Sequence, residues 1–236
     1  MEYNIHLDQL RQQIPIGIRH GLTLLQQTGG DIVQAKALFE EEMTLLIVKK
    51  ASVSPDVAKE HLLACKYDIA SALTRIDEGR FSLSERILKK YNKEEALDLI
   101  VRQIEITENI QRKCWLPLQE ITHVPPLVYG VLAVHDFLGY ESWEGFSSAL
   151  YFYSDIIIAQ FEGVVNMPAM ADCLRTAKKQ SNAIYAAHKG KDPSVMSNLI
   201  NEDVVFCVQE SFFEKNRSAV LERLHDLIAN NITMFP

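Results

Sequence analysis

Apolar and polar positions in the first eighty residues follow a helical period, and the same pattern occurs twice. Asp31-Ile32-Val33-Gln34-Ala35 recurs as Asp68-Ile69-Ala70-Ser71-Ala72, an offset of 37 residues. The same offset places Leu25 on Leu62. Since residues three or four apart share one face of a helix, each copy predicts three short helices with one buried side.

Helix starts and stops support this division. Gly29-Gly30 predicts the end of a helix, because glycine readily takes the left-handed conformation found there. Asp31 and Asp68 are in position to cap the third helix of each copy. Ser54-Pro55-Asp56 provides a hydroxyl cap, a proline at the first helical position and an acid beside it. The predicted modules are residues 1–42 and 43–79.

A short loop, a second helix and an Asp-Ile-x-x-Ala start to the third resemble the ubiquitin-associated (UBA) fold. The second copy, with residues 50–54 (Lys-Ala-Ser-Val-Ser) and 68–72, is similar to the UBA-like domain of nascent-polypeptide-associated complex subunits. The first copy, with residues 28–32 (Thr-Gly-Gly-Asp-Ile), resembles the UBA-like start of bacterial elongation factor Ts. The resemblance implies tandem UBA-like modules that bind a protein partner, and it identifies a fold better than a ligand.

The resemblance also implies a location for the partner surface. Ubiquitin-binding UBA domains form an apolar patch from a Met-Gly-Phe/Tyr loop and the end of the third helix. Here Ile16, Gly17 and Ile18 occupy the loop position and Phe39 lies near the end of the helix. We expect Gly17 to turn the chain so that both isoleucines point outward. The alternative is that they pack between the modules as core. The second copy departs from the pattern, with Val-Ser-Pro at residues 53–55.

The remaining chain predicts a larger helical domain, residues 81–236, after a boundary at 77–80. Ser82-x-x-Glu85 is a capping box that begins the first helix of this domain. Residues 139–145 predict a turn-rich connection. Residues 204–208 (Val-Val-Phe-Cys-Val) favour a strand, but no neighbouring segment offers a pairing partner, so we predict helix. The chain as a whole is predicted to be all-α. The apolar stretches interpreted as helices in this domain are 127–138, 146–165, 168–187 and 204–228.

A second resemblance concerns residues 143–146 (Trp-Glu-Gly-Phe), 151–153 (Tyr-Phe-Tyr) and 210–213 (Glu-Ser-Phe-Phe). These segments resemble an all-helical bacterial domain family whose members often carry Asn-Gly-Gly-Phe and include a DNA-mimic protein. The resemblance implies, as one alternative, a regulator that occupies a DNA-binding protein. Residues 81–236 carry 20 Asp and Glu against 15 Lys and Arg, scattered along the chain, which is a small surplus for such a decoy.

Charge and cysteine content narrow the classes of function. The net charge of -7 argues against nucleic acid as a partner, because binders of phosphate backbones concentrate positive charge. The four cysteines form no CxxC pair, so we predict no metal site and reduced thiols. The N-terminus lacks a signal-peptide pattern and the most apolar window is interrupted by polar residues, which predicts a cytoplasmic protein outside the membrane.

No motif for catalysis or for a cofactor occurs. HExxH, a nucleophile elbow and a phosphate-binding glycine loop are all missing from the sequence. We therefore predict a non-catalytic interaction or regulatory protein, with a helical enzyme or ligand-binding domain carrying accessory UBA-like modules as the alternative. An aromatic group is the candidate pocket, and a packed core is the competing interpretation of it. The candidate pocket residues are Trp143, Phe146, Tyr151 and Tyr153.

Overall fold

The computed structural model describes residues 3–236, and over that range the chain is helical with no β-strand. The all-α prediction is therefore confirmed. The chain divides into two compact units, Met1–Ser82 and Leu83–Pro236. Residues 77–80, which the sequence suggested as a boundary, form the last turn of a helix that ends at Arg80.

The helices of the first unit are α1 (Asn4–Gln13), α2 (Ile18–Gln27), α3 (Ile32–Ala51), α4 (Pro55–Ala64) and α5 (Ile69–Arg80). Those of the second unit are α6 (Leu83–Lys90), α7 (Lys93–Thr107), α8 (Pro126–Glu144), α9 (Phe146–Glu162), α10 (Pro168–Ala187), α11 (Pro193–Asn201) and α12 (Val204–Asn230), followed by a 3₁₀-helix (Ile232–Met234).

Helix α3 belongs to both halves of the first unit. Its N-terminal half packs with α1 and α2 around a small core that includes Leu25 and Phe39. Its C-terminal half packs with α4 and α5 around a second core that includes Ile47 and Leu62. The predicted module boundary between residues 42 and 43 lies inside this helix. Glutamates and methionine at residues 40–43 favour helix, so the chain continues without a break.

The two halves of the first unit begin their third helices in the same way. The Asp31 carboxylate accepts the N–H groups of Val33 and Gln34, at 2.9 and 3.0 Å. Asp68 accepts the N–H groups two and three residues ahead of it, at 3.0 and 3.4 Å. Each aspartate thus satisfies two N–H groups that have no partner within the helix. The N–H bonds from Gln34 and Val33 lower the pKa of Asp31, and the bonds from the Ser71 hydroxyl and N–H lower that of Asp68.

The second unit is built around α8, the most buried helix of the unit. Helix α9 packs on α8, α10 packs on α9, and α12 packs on α10 and α7. Gly130 of α8 is a point of close approach, because a Cβ atom placed there would lie 2.7 Å from Cγ1 of Val164. The N–H of Ser84 donates to the carbonyl of Pro236 at 2.7 Å and so holds the C-terminal residue against the start of α6.

One expectation about this unit is wrong in detail. The predicted connection at residues 139–145 is helical up to Glu144, and Gly145 alone, with a φ of 86°, separates α8 from α9. A helical glycine at position 139 costs about 1 kcal/mol relative to alanine, which the packing of α8 on its neighbours offsets. The segment 204–208 is helical, as predicted.

Candidate functional site

Six aromatic side chains of the second unit form an unbroken series of ring contacts, which we call the aromatic strip. Successive ring centroids lie 5.7, 4.4, 5.8, 5.0 and 6.2 Å apart. These are the separations of favourable offset and edge-on pairs. The members, in order of contact, are Trp143, Trp115, Tyr140, Phe152, Tyr151 and Tyr185.

Four members of the strip are exposed to solvent. The exposed fractions are 72% for Trp143, 68% for Tyr151, 63% for Phe152 and 40% for Tyr185. Single exposed apolar residues are ordinary, whereas a contiguous group of large ones marks an interaction surface. Trp115 and Tyr140 are half-buried beneath the exposed rings.

Three helices and one loop bring these rings together. Tyr140 and Trp143 are three residues apart on α8 and therefore share a face. Helix α9 contributes Tyr151 and Phe152, and α10 contributes Tyr185 near its C-terminal end. Trp115 comes from the segment between α7 and α8. The strip is thus a product of helix packing in this unit.

A buried ionic network holds the loop that carries Trp115. Arg112 Nη2 lies 2.6 Å from Glu105 Oε1, and Arg112 Nη1 lies 2.5 Å from Asp136 Oδ1. The second carboxylate oxygen of Asp136 accepts the Leu116 N–H at 3.2 Å. The Asp136 side chain has no exposed surface. The network therefore fixes both neighbours of the segment 113–115 to α7 and α8.

The titration of this network follows from its burial. Burial raises the pKa of the Asp136 carboxyl, and the Arg112 guanidinium and the Leu116 N–H oppose that rise. Burial, followed by the negative charge of Asp136, raises the pKa of Tyr153. Burial and the neighbouring carboxylate thus both favour the neutral phenol of Tyr153.

A cavity of about 500 Å³ adjoins one end of the strip. Tyr151 and Tyr185 form one wall, and the turn from His188 to Lys191, between α10 and α11, forms another. The cavity combines aromatic surface with lysine side chains.

The candidate pocket residues separate into three environments. Trp143 and Tyr151 are exposed in the strip. Phe146 is buried core, with its ring centroid 5.2 Å from that of Phe213. Tyr153 is half-buried, 5.2 Å from the Tyr140 ring. The aromatic run on α9 pointed to this region, but Trp115 and Tyr185 were missed because only the tertiary structure brings them to it.

The residues predicted for partner binding in the first unit also differ in exposure. Ile18 is 57% exposed and Gly17 is exposed, whereas Ile16 and Phe39 are buried in the first core. The expectation that Ile16 points outward is wrong. Gly17, with φ -71° and ψ 150°, is the N-cap of α2, so the chain changes from the extended segment to helix between the two isoleucines. Ile16 packs in the first core, whereas Ile18 opens the first turn of α2 and lies in solvent.

Residues 3–236 contain neither a cluster of metal-ligating side chains nor a helix able to span a membrane. In that range no group of three or more His, Cys, Asp and Glu side chains is placed to hold a metal ion. Over the same described residues, the helices are too short or too polar to traverse a bilayer.

Comparison with known proteins places the chain in a family. The model of the YfbN C-terminal domain matches residues 82–233, most of the second unit. The relative described as "Uncharacterized protein YfbN" from Escherichia coli (strain K12) is 32% identical over 238 residues, covering 100% of this chain and 97% of the relative. No solved structure matches the chain. On both the domain match and the full-length similarity, this chain belongs to the YfbN family.

Proposed function

We propose that this protein acts by binding a protein partner and that the aromatic strip is its main contact surface. The observation that carries the proposal is the unbroken series of five contacts among six rings, four of which are exposed. Trp, Tyr and Phe are enriched at protein interfaces, and tryptophan and tyrosine supply much of the binding energy there.

The support beneath the strip favours binding without a large ordering cost. Arg112, Asp136 and Leu116 hold the loop of Trp115, and Trp115 in turn lies 4.4 Å from Tyr140 and 5.7 Å from Trp143. A contact surface that is already ordered loses little conformational entropy when a partner docks on it.

The carboxylates of the second unit give less support to the alternative of a DNA mimic. Several form ion pairs: Glu105 and Asp136 with Arg112, Glu141 with Arg217, and Asp155 with Lys178. A decoy needs unpaired negative charges spaced like phosphates on one face. The paired carboxylates therefore favour a protein partner that meets apolar surface.

We also propose that the first unit is a pair of UBA-like modules that share α3. The supporting observations are the separate small cores on the two halves of α3 and the matching aspartate caps at Asp31 and Asp68. Ile18 and Gly17 would form the contact surface of the first module, with Ile16 and Phe39 packed beneath as core.

The main test is affinity purification of the full chain with quantitative mass spectrometry of what co-purifies. The double variant Trp143→Ala/Phe152→Ala should lose a partner that the parent chain retains, with an unchanged thermal midpoint. Ile106→Ala is the matched control, because Ile106 is 65% exposed on α7 of the same unit. Equal recovery of every partner by the double variant would contradict the role of the strip.

The first unit is tested by Ile18→Asp with Ile5→Asp as its control, since both side chains are exposed at 57% and 74%. Loss of a partner only in Ile18→Asp supports a UBA-like contact surface. Identical partner profiles for the two variants would remove Ile18 from the proposal.

A further inference from the structure

The cavity at the end of the aromatic strip has the size and the lining of a ligand site. Its volume of about 500 Å³ lies within the range of small-molecule pockets, roughly 300–1,000 Å³. It forms between α9, the end of α10 and the start of α11. The lining comprises Tyr151, Tyr185, the His188–Lys191 turn, Pro193 and Met196.

Two lysines, Lys189 and Lys191, line this cavity in a chain of net charge -7. Residues 173–191 contain five Lys and Arg and no Asp or Glu. Arg175 forms ion pairs with Glu162 and Asp172, and Lys178 forms one with Asp155. Lys189 and Lys191, by contrast, are exposed and form no salt bridge within the described residues.

The acid nearest to these lysines in the sequence does not line the cavity. The Asp192 carboxylate caps α11, where it accepts the Ser194 N–H at 2.9 Å and the Ser194 hydroxyl at 2.7 Å. These bonds lower the pKa of Asp192. The cavity therefore presents two lysines and His188 with no carboxylate in its lining.

A tight turn carries both lysines. The Lys191 N–H donates to the His188 carbonyl at 3.2 Å, and Gly190 has a φ of 91°, a conformation that glycine adopts without strain. The turn places the lysines on the cavity that the two tyrosine rings also line.

The tyrosines offer a surface for a planar ring. Their centroids are 6.2 Å apart with the ring planes 47° to each other, so a base cannot lie between them as in a parallel sandwich. It can lie against an exposed face, since Tyr151 and Tyr185 are both exposed. Stacking on aromatic side chains accepts every base, and lysine binds phosphate as a point charge.

We propose that this cavity binds a nucleoside phosphate, with the base against Tyr151 and Tyr185 and the phosphates at Lys189 and Lys191. Such a ligand joins a planar ring and an anionic group at the short separation that one cavity spans. The proposal goes beyond partner binding and does not depend on it, although Tyr151 belongs to both surfaces.

The test is isothermal titration of the full chain with ATP, adenosine and inorganic tripolyphosphate, each at the same two salt concentrations. ATP should bind at least about tenfold more tightly than either part alone, because each part makes only one of the two contacts. Lys189→Gln/Lys191→Gln should weaken ATP binding about tenfold or more and reduce its dependence on salt. Lys49→Gln/Lys50→Gln is the matched control, with two exposed lysines of the first unit neutralised.

The aromatic contribution is tested by Tyr185→Leu, which keeps apolar bulk but removes the ring face. It should weaken ATP binding about tenfold and leave tripolyphosphate binding unchanged. Any one of three results would overturn the proposal: no ATP binding at millimolar concentration, equal binding of ATP and tripolyphosphate, or an equal loss in the Lys49/Lys50 control. Tighter binding of a single-stranded oligonucleotide than of ATP would also overturn it and assign the site to a nucleic-acid strand.

Discussion

Gly30 and Tyr67 lie 37 residues apart and have the same backbone geometry. Their φ angles are 90° and 66°, and each donates its N–H to the carbonyl five residues earlier, Leu25 at 2.7 Å and Leu62 at 2.8 Å. The same type of turn therefore closes α2 and α4, with Gly30 in the left-handed position after α2 and Tyr67 in that position after α4. The left-handed conformation costs about 1–2 kcal/mol in a residue with a side chain, so packing must hold Tyr67 in place.

Packing of Tyr67 accounts for that cost. Its ring centroid lies 5.9 Å from that of Phe39, and its hydroxyl donates to Glu40 Oε1 at 2.7 Å. Tyr67 thus contacts the first core while it closes a helix of the second.

Substitution of Lys66 measures the free-energy cost of the left-handed backbone in this turn, because the Lys66 side chain is exposed and adds little packing. Lys66 is exposed with a φ of 50°, and Gly29 takes the corresponding place in the first turn with a φ of 61°. Lys66→Gly should raise the free energy of unfolding by roughly 0.5–1 kcal/mol. Gly29→Ala should lower it by about 1 kcal/mol, since a Cβ there meets no atom within 4 Å and only the backbone is strained. Urea denaturation measures both, and a loss in Lys66→Gly would contradict the argument.

Leu25 and Leu62 should contribute comparably to stability, because each is fully buried in its own small core. We expect Leu25→Ala and Leu62→Ala each to cost about 2–5 kcal/mol through the cavity they leave. Leu45→Ala is the control, since Leu45 is 56% exposed and should change stability by about half a kcal/mol or less. Denaturation curves decide the matter, and a loss as small as the control's for Leu62→Ala would show that the residue is not core.

Tyr67 should make the stability of the first unit depend on alkaline pH. Burial, the hydrogen bond to Glu40 and the Glu40 charge raise the pKa of Tyr67 to about 12 from the usual 10. The folded-state pKa exceeds the unfolded one, so the contribution is complete below pH 10 and is lost as pH rises from 10 to 12. Tyr67→Phe should show a smaller fall in thermal midpoint over that interval. Parallel curves for the two proteins would refute this assignment.

Within the ionic network, substitution of Asp136 should lower the free energy of unfolding most. Asp136→Ala leaves the half-buried Arg112 without its 2.5 Å partner and should cost on the order of 3 kcal/mol. Asp136→Asn can still accept the Leu116 N–H and should cost less. The chain's two tryptophans, Trp115 and Trp143, both lie in the strip, so Asp136→Ala should also shift their emission to longer wavelength. Unchanged emission would mean that the network does not position Trp115.

The division after residue 82 should be visible in limited proteolysis. Helix α5 extends to Arg80 and α6 begins at Leu83, so within the break that the sequence predicts between Asp77 and Ser82 the first cut should fall at Phe81 or Ser82. Mass spectrometry of the early fragments identifies the site. Early cleavage within residues 31–76 would indicate that the first unit is the less stable part.

The sequence by itself determined the helical class and most helix starts. Asp31 and Asp68 were each identifiable as caps, and each accepts the N–H groups two and three residues ahead. Proline at the first helical position likewise located the start of α4, at Pro55. These features are readable because they depend on residues within one helical turn of each other.

Tertiary structure alone decided which apolar residues are exposed. Ile16 and Ile18 are chemically the same and two residues apart, yet the first is buried and the second is in solvent. Trp115 and Tyr185 join one strip from positions 70 residues apart in the chain. Burial and ring contact depend on neighbours brought together by helix packing, and a local sequence pattern carries no record of those neighbours.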